Sequence, residues 1–201
     1  MIRAEDRGGA RVLVLDRAEK ANALTRDMLA ELDRQVACAA AEGVAVLVIT
    51  GNGKVFSAGA ELDGLAQGLG QAAEWEVLSA RIAAYPGLTV AALNGTLAGG
   101  AFGMVLACDL RVAVAGAEFF YPVMKRGYLP QPSDPKRLSA LVGPARAKQV
   151  ILAGRRIGAE AALDWGLLDL IAEDAVAGAL ALATDALGAE AAHVRRMKAM
   201  F

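Results

Sequence analysis

Two stretches of the sequence combine small residues with a preceding apolar run in a way that allows backbone atoms to do chemistry. The first, Gly53-Lys54-Val55-Phe56-Ser57-Ala58-Gly59-Ala60-Glu61-Leu62, follows the run Val44 to Thr50 (VAVLVIT). The second, Asn94-Gly95-Thr96-Leu97-Ala98-Gly99-Gly100-Ala101-Phe102-Gly103, follows Thr89 to Leu93 (TVAAL). Small residues after a buried strand permit a turn that exposes N–H groups. Where such a turn opens a helix, the donors also sit at the positive end of the helix dipole. Two turns of this kind facing each other can hold one oxygen that carries negative charge. Either turn alone is equally well read as a tight connection with no ligand.

The elements that must position these turns form an α/β alternation. Arg11 to Leu15 (RVLVL) reads as a short strand, and Thr25 to Ala40 has apolar residues at helical spacing (Met28, Leu29, Leu32, Val36) behind Thr25 as N-cap. Val44 to Thr50, closed by Gly51-Asn52-Gly53, has the continuous apolar pattern of a strand buried on both faces. Thr89 to Leu93 repeats it, and a Gly-rich helix-like stretch from Gly99 to Cys108 precedes a further strand at Leu110 to Ala115. Beyond the prolines of GYLPQPSDPKRL, helical patterns cover Asp134 to Ala153 and Ala159 to Trp165. The expectation is one α/β domain over residues 1–201, with a mostly helical part at 144–201.

Composition narrows the partners. With 21 basic and 22 acidic residues mixed along the chain and a net charge of -1, no long-range field draws nucleic acid or an anionic membrane, so a small-molecule partner is expected. Cys38 and Cys108 lie in apolar surroundings without C-x-x-C spacing and read as reduced, buried thiols. A lone His193, within HVRRMK, cannot assemble the usual zinc sites and reads as a surface helix position. The charged N-terminal sequence MIRAEDRGGARVLVLDR and the lack of a membrane-length apolar run lead to the expectation of a cytoplasmic protein.

Taken together, FSAGAEL and LNGTLAGGAFGMVLACDLRVA, in that order and separation, resemble the two signature segments of the crotonase (enoyl-CoA hydratase/isomerase) superfamily. LDRAEKANAL resembles the first-strand segment of that family, and FFYPVMKRGYLPQPSDPKRLSALVG and ILAGRRIGAEAALDWGLLDLIA resemble its third and fourth, so the likeness runs over roughly residues 11–173. The resemblance implies a core of repeated ββα units with a helical C-terminal region, and a homotrimer or dimer of trimers. It also implies an acyl-CoA thioester as ligand, with coenzyme A present as part of the substrate and no other cofactor or metal. Carried over to the matching positions, the resemblance implies that the backbone N–H groups of Ala60 and Gly100 form the oxyanion hole. It implies likewise that Lys20, Ala21 and Ala23, with Ala58, Ala60, Glu61, Leu62 and Gly99, meet the CoA thioester, mostly through backbone atoms. Lys20 is also well read as an exposed lysine at a turn, and Glu61 as a structural or ligand-positioning group.

The chain departs from the hydratases of that family at the positions of their two working glutamates, which here read Gly103 and Val123. Neither residue can activate water or take a proton, so standard hydration is not expected. The loop Gly127 to Asp134, where other members keep a working side chain, supplies Tyr128, Gln131, Ser133 and Asp134. Tyr128 and Asp134 are candidate catalytic groups. For Asp134, capping of the following helix by Ser133 or Asp134, with Pro135 in the first turn, is the favoured alternative. Gln131 can hydrogen-bond but cannot abstract a proton. Tyr121 reads as a half-buried core tyrosine that could also donate a proton, and Glu118 as a solvent-facing charge. Two functions stay open: an enzyme stabilising an acyl-CoA enolate for isomerase, lyase or hydrolase chemistry, and a non-catalytic acyl-CoA-binding or assembly subunit. A dinucleotide binder is disfavoured because neither glycine cluster spells G-x-G-x-x-G.

Overall fold

In the computed structural model, which describes residues 1–201, the apolar runs become parallel strands and the glycine-bearing turns carry each one into a second, smaller sheet. The chain opens with β1 (Ile2–Arg7), β2 (Ala10–Leu15), α1 (Arg26–Ala41), β3 (Val46–Gly51), β4 (Val55–Ser57), α2 (Leu62–Ala66) and α3 (Glu74–Ala83). It continues with β5 (Leu88–Leu93), β6 (Thr96–Ala98), α4 (Phe102–Leu106), β7 (Leu110–Ala113), β8 (Glu118–Phe120), α5 (Val123–Arg126) and α6 (Asp134–Val142). It closes with α7 (Pro144–Ile151), β9 (Ile157–Gly158), α8 (Ala159–Trp165), β10 (Leu170–Ile171), α9 (Ala175–Leu182), α10 (Thr184–Gly188) and α11 (Ala191–Lys198).

The large sheet has the order β1-β2-β3-β5-β7-β10 and is parallel except for β1, while the small sheet has the order β4-β6-β8-β9 with β9 antiparallel to β8. The ββα repeat is therefore present as β3-β4-α2, β5-β6-α4 and β7-β8-α5, and the α/β fold class holds, with helices dominating after residue 144. Leu24 adds a single parallel bridge to Ala60, which extends the small sheet toward the loop after β2.

The strands β3 and β5 are buried on both faces, as their continuous apolar runs require. Leu47, Ile49, Ala91 and Leu93 face the main core with α1 and α3, and Val46, Val48, Val90 and Ala92 pack on the other side against Ala175 and Ala179 of α9. Thr25 caps α1 by accepting the Met28 N–H at 3.2 Å. On the far edge, Lys198 of α11 donates to Gly87 O at 2.8 Å and pairs with Asp109 at 2.6 Å, which ties the last helix to the entry of β5.

Three local expectations are corrected. The strand β1 is absent from the sequence reading because its pattern is mostly exposed and charged, and only pairing with β2 orders it. The helical pattern over Asp134 to Ala153 is two helices, since Pro144 has no N–H to continue the ladder from α6 and instead starts α7. Cys38 is half-buried on α1, with Arg34 beside its Sγ, although Cys108 is buried; both are free thiols. No helix is long and apolar enough to cross a membrane, and no cluster of three His, Cys, Asp or Glu side chains has the spacing to hold a metal ion.

Candidate active site

The two glycine-bearing turns meet. Gly59 (φ +87°) and Gly99 (φ +60°) both lie in the left-handed region, and a Cβ on Gly59 would stand 2.9 Å from Ala98 O and 3.3 Å from Gly100 N. Only glycine at position 59 allows the backbones to approach this closely. Leu24 N donates to Gly59 O at 2.8 Å, and Glu61 N donates to Leu24 O at 2.9 Å, so one side of the segment Gly59 to Glu61 is paired. The intervening Ala60 N–H points to the other side and has no hydrogen-bond partner in the chain. Gly100 is the second residue of a one-turn 3₁₀ helix, Gly99–Ala101, where N–H groups have no acceptor within their own helix.

Both residues open on one cleft of about 660 Å³. Its walls also carry Lys20, Ala21, Ala23, Ala58, Glu61, Leu62, Gly99 and Tyr128, so the candidate binding positions scattered over more than a hundred residues converge in space. Lys20 is exposed at the rim; Arg126 and Arg156 add further cations there, the latter paired with Glu118 at 2.9 Å and lying 4.0 Å from the centre of the Phe120 ring. Glu61 is paired with Arg17, whose other guanidinium nitrogen donates to Ala23 O at 3.2 Å, so it acts in shape as a brace between two cleft walls. Val123 and Gln131 line the cleft, whereas His193 is an exposed position on α11 away from it.

Three contributors escape a reading of the sequence. Asn22 is fully buried with φ +51°; its Oδ1 accepts the Arg17 N–H at 2.9 Å, and its Nδ2 donates to Asn52 O at 2.9 Å and Val55 O at 2.7 Å. Ser57 Oγ donates to Asn22 O at 2.8 Å and accepts from Gly59 N at 3.1 Å. This chain of bonds locks the Lys20 to Ala23 loop onto the first glycine-bearing turn, and the one signal that could have marked Asn22 is the tolerance of asparagine for positive φ. Trp75, held by its Nε1 donating to Leu69 O at 2.8 Å, packs its ring 3.4 Å from where a Cβ on Gly100 would be, so it supports the second turn from behind. Tyr121 is fully buried rather than half-buried, reaches the cleft wall and stacks on Phe102 with ring centres 5.3 Å apart.

Asp134 does not line the cleft, and the capping expectation is also corrected. Ser133 holds the N-cap position of α6, but neither its side chain nor that of Asp134 caps the helix, in part because Pro135 lacks one of the N–H groups a cap would serve. Ser133 Oγ instead donates to Glu76 Oε2 at 3.0 Å. The Asp134 side chain turns inward and is fully buried; Tyr121 donates to its Oδ2 at 2.7 Å, and Oδ1 has no partner.

Burial pushes the Asp134 carboxyl up to about 6, with Glu76 adding to the rise, while the Tyr121 bond and the Arg137 charge oppose it. The native state therefore holds this proton more tightly than the unfolded chain, so the associated stability is fully present below pH 4 and is lost as pH rises through 6. A rise from 3.8 to about 6 corresponds to about 3 kcal/mol. Urea unfolding of the wild type and Asp134→Asn between pH 4 and 7 is expected to show the wild type losing about that much relative to the variant. A difference that stays constant or grows in the opposite sense would place the carboxyl elsewhere.

The model of the family described as enoyl-CoA hydratase/isomerase matches residues 5–201. A Mycobacterium tuberculosis protein named Probable enoyl-CoA hydratase EchA14 is 35% identical over 184 residues, covering 86% of this chain and 70% of its own length. An Arthrobacter protein named 4-chlorobenzoyl coenzyme A dehalogenase-2 is 31% identical, over 87% of this chain and 67% of its own. The crystal structure of an enoyl-CoA hydratase from Thermoplasma volcanium superposes with a TM-score of 0.89 at 30% identity, covering 98% of this chain and 81% of that one.

Proposed function

Because the chain belongs to the enoyl-CoA hydratase/isomerase family of the crotonase superfamily, we propose that its cleft binds an acyl-CoA thioester and stabilises the enolate of that thioester at the N–H groups of Ala60 and Gly100. The observation that carries this reading is the unpartnered Ala60 N–H, set against the first-turn N–H of Gly100 at one cleft. When the α C–H bond breaks, its electron pair moves onto the thioester carbonyl oxygen. Backbone donors held rigidly at that oxygen favour the enolate more than the neutral carbonyl. Cations at the rim, among them Lys20 and Arg126, suit the phosphates of the coenzyme.

The absence of a carboxylate at Gly103 and Val123 supports isomerase, lyase or hydrolase chemistry rather than hydration. That one relative is named a dehalogenase acting on a CoA thioester agrees with a family scaffold that serves reactions other than hydration. The same two residues favour a second reading, a binding subunit that forms no enolate. Butyryl-CoA at a hundredfold excess over its dissociation constant is expected to stabilise the protein by about 2.7 kcal/mol, a rise in melting temperature of roughly 5–10 °C, while NAD leaves it unchanged. Equal shifts from both ligands would sink the assignment. Incorporation of solvent deuterium at the α-carbon separates the enzyme from the binder.

A further inference from the structure

The cleft has an oxyanion site but lacks, at the two positions where its hydratase relatives are expected to keep glutamates, any group that can move a proton. Of the lining carboxylates, Glu61 and Glu118 are each engaged with an arginine, and Asp63 is an exposed group in the first turn of α2. One ionisable pair lies directly behind the wall. Tyr121 lines the cleft and donates to Asp134 Oδ2 at 2.7 Å, and Asp134 is 0% exposed with Oδ1 unpartnered. Oδ1 faces Gly103: a Cβ built there would stand 3.0 Å from it. The carboxyl group thus enters from the start of α6 into the space beside a helix position that has no side chain.

A buried carboxyl with a single hydrogen bond is costly, and no cap, metal or ion pair accounts for this one. The charged groups around it are turned elsewhere. Arg137 on α6 donates to Ser79 Oγ at 2.9 Å, and Glu76 on α3 accepts from Ser133 on the other side. Tyr121 is therefore the one hydrogen-bond partner that joins this carboxyl to the cleft wall.

We infer that Tyr121 is the acid–base group of the cleft and that Asp134 is the positioning residue that takes up its proton. This rests on the acyl-CoA reading above. In the forward step the α C–H bond breaks, its electron pair passes to the carbonyl oxygen at Ala60 and Gly100, and the released proton forms an O–H bond with the Tyr121 oxygen. The phenolic proton moves at the same time to Asp134 Oδ2. The products are an enolate, an intact phenol and a neutral carboxyl, and the reverse step returns the proton to carbon. Burial and the adjacent carboxylate raise the Tyr121 phenol well above its usual range, so it is no source of phenolate by itself and needs Asp134 ionised to accept a proton.

The test is α-proton exchange of butyryl-CoA in deuterium oxide, measured alongside the dissociation constant. Tyr121→Phe is expected to lower exchange at least about 100-fold with binding changed less than threefold. Asp134→Asn is expected to do the same and to remove the acid limb of the rate profile. That limb needs no variant: in the wild type the rate should climb from pH 5 and level off above about pH 6, where Asp134 is ionised while facing Tyr121, Glu76 and Arg137. A flat wild-type profile between pH 5 and 8, or exchange within threefold of wild type in Tyr121→Phe, overturns the relay and leaves the enolate reading intact. Tight binding with no exchange by the wild type at any pH overturns both.

Discussion

Replacing the Ala60 amide by an ester, through incorporation of lactic acid at that position, is expected to slow α-proton exchange on an acyl-CoA by about 100- to 1000-fold. The substitution keeps the methyl side chain and changes one N–H to an oxygen. Nothing inside the chain relies on that N–H, because the bridge to Leu24 is made by Gly59 O and Glu61 N on either side of it. The one folded-state cost is a weaker acceptor at Gly59 O, under about 1 kcal/mol. The expected loss comes instead from the transition state, where one missing donor removes about 3–4 kcal/mol of stabilisation from an oxygen gaining full charge. Ground-state binding of the thioester should change far less, since a neutral carbonyl loses little with one of its two donors. Unchanged exchange in the ester variant would remove Ala60 from the oxyanion site, whatever happens at Gly100.

The second large effect is expected at Gly103, and it falls on stability rather than on activity. Gly103→Glu, which introduces a carboxylate where the resemblance to the hydratases implies one, is not expected to restore hydration. Gly103 is buried in α4, and the first carbon of any side chain would meet Asp134 Oδ1 at 3.0 Å. Two carboxylates would then share a site with one phenol as donor, and one of them must be protonated or expelled. A destabilisation of about 3–5 kcal/mol is expected for Gly103→Glu, from overpacking together with an unpaired buried charge. Removing the competitor in Gly103→Glu/Asp134→Ala should recover about 2 kcal/mol or more, so the two changes are strongly non-additive. Urea denaturation of the two singles and the double measures this coupling. Additive effects would mean that Asp134 and position 103 do not share space.

The repeated unit was legible because its signals are local. A continuous apolar run of strand length followed by a turn of small residues has one economical solution, a buried parallel strand that leaves the sheet at a glycine, and β3 and β5 adopt it. The N-cap at Thr25 follows the same logic. That Ala60 and Gly100 share a cleft with Lys20, Ala21 and Ala23 was legible only through the resemblance to a family, since no local signal says which loop a turn will meet. The strand β1 gave no such signal: its charged residues satisfy no core, and its order comes from pairing with β2.

What local pattern determined about this protein is therefore its α/β repeat and the two glycine-bearing turns, while their meeting at one cleft was implied by the family resemblance. Tertiary structure alone decided the use of side chains around that cleft. Ser133-Asp134-Pro135 reads as a helix start, and so it is, but the direction of the Asp134 carboxyl depends on empty space at Gly103, thirty-one positions earlier, and on a phenol thirteen positions away. Asn22 is one more polar loop residue until folding surrounds it with Arg17, Asn52, Val55 and Ser57. Chain geometry dictates backbone donors within a few residues, whereas the environment of a buried polar side chain is set by whichever distant segments pack against it, and in this chain those segments meet only when the two sheets and α6 close over one another.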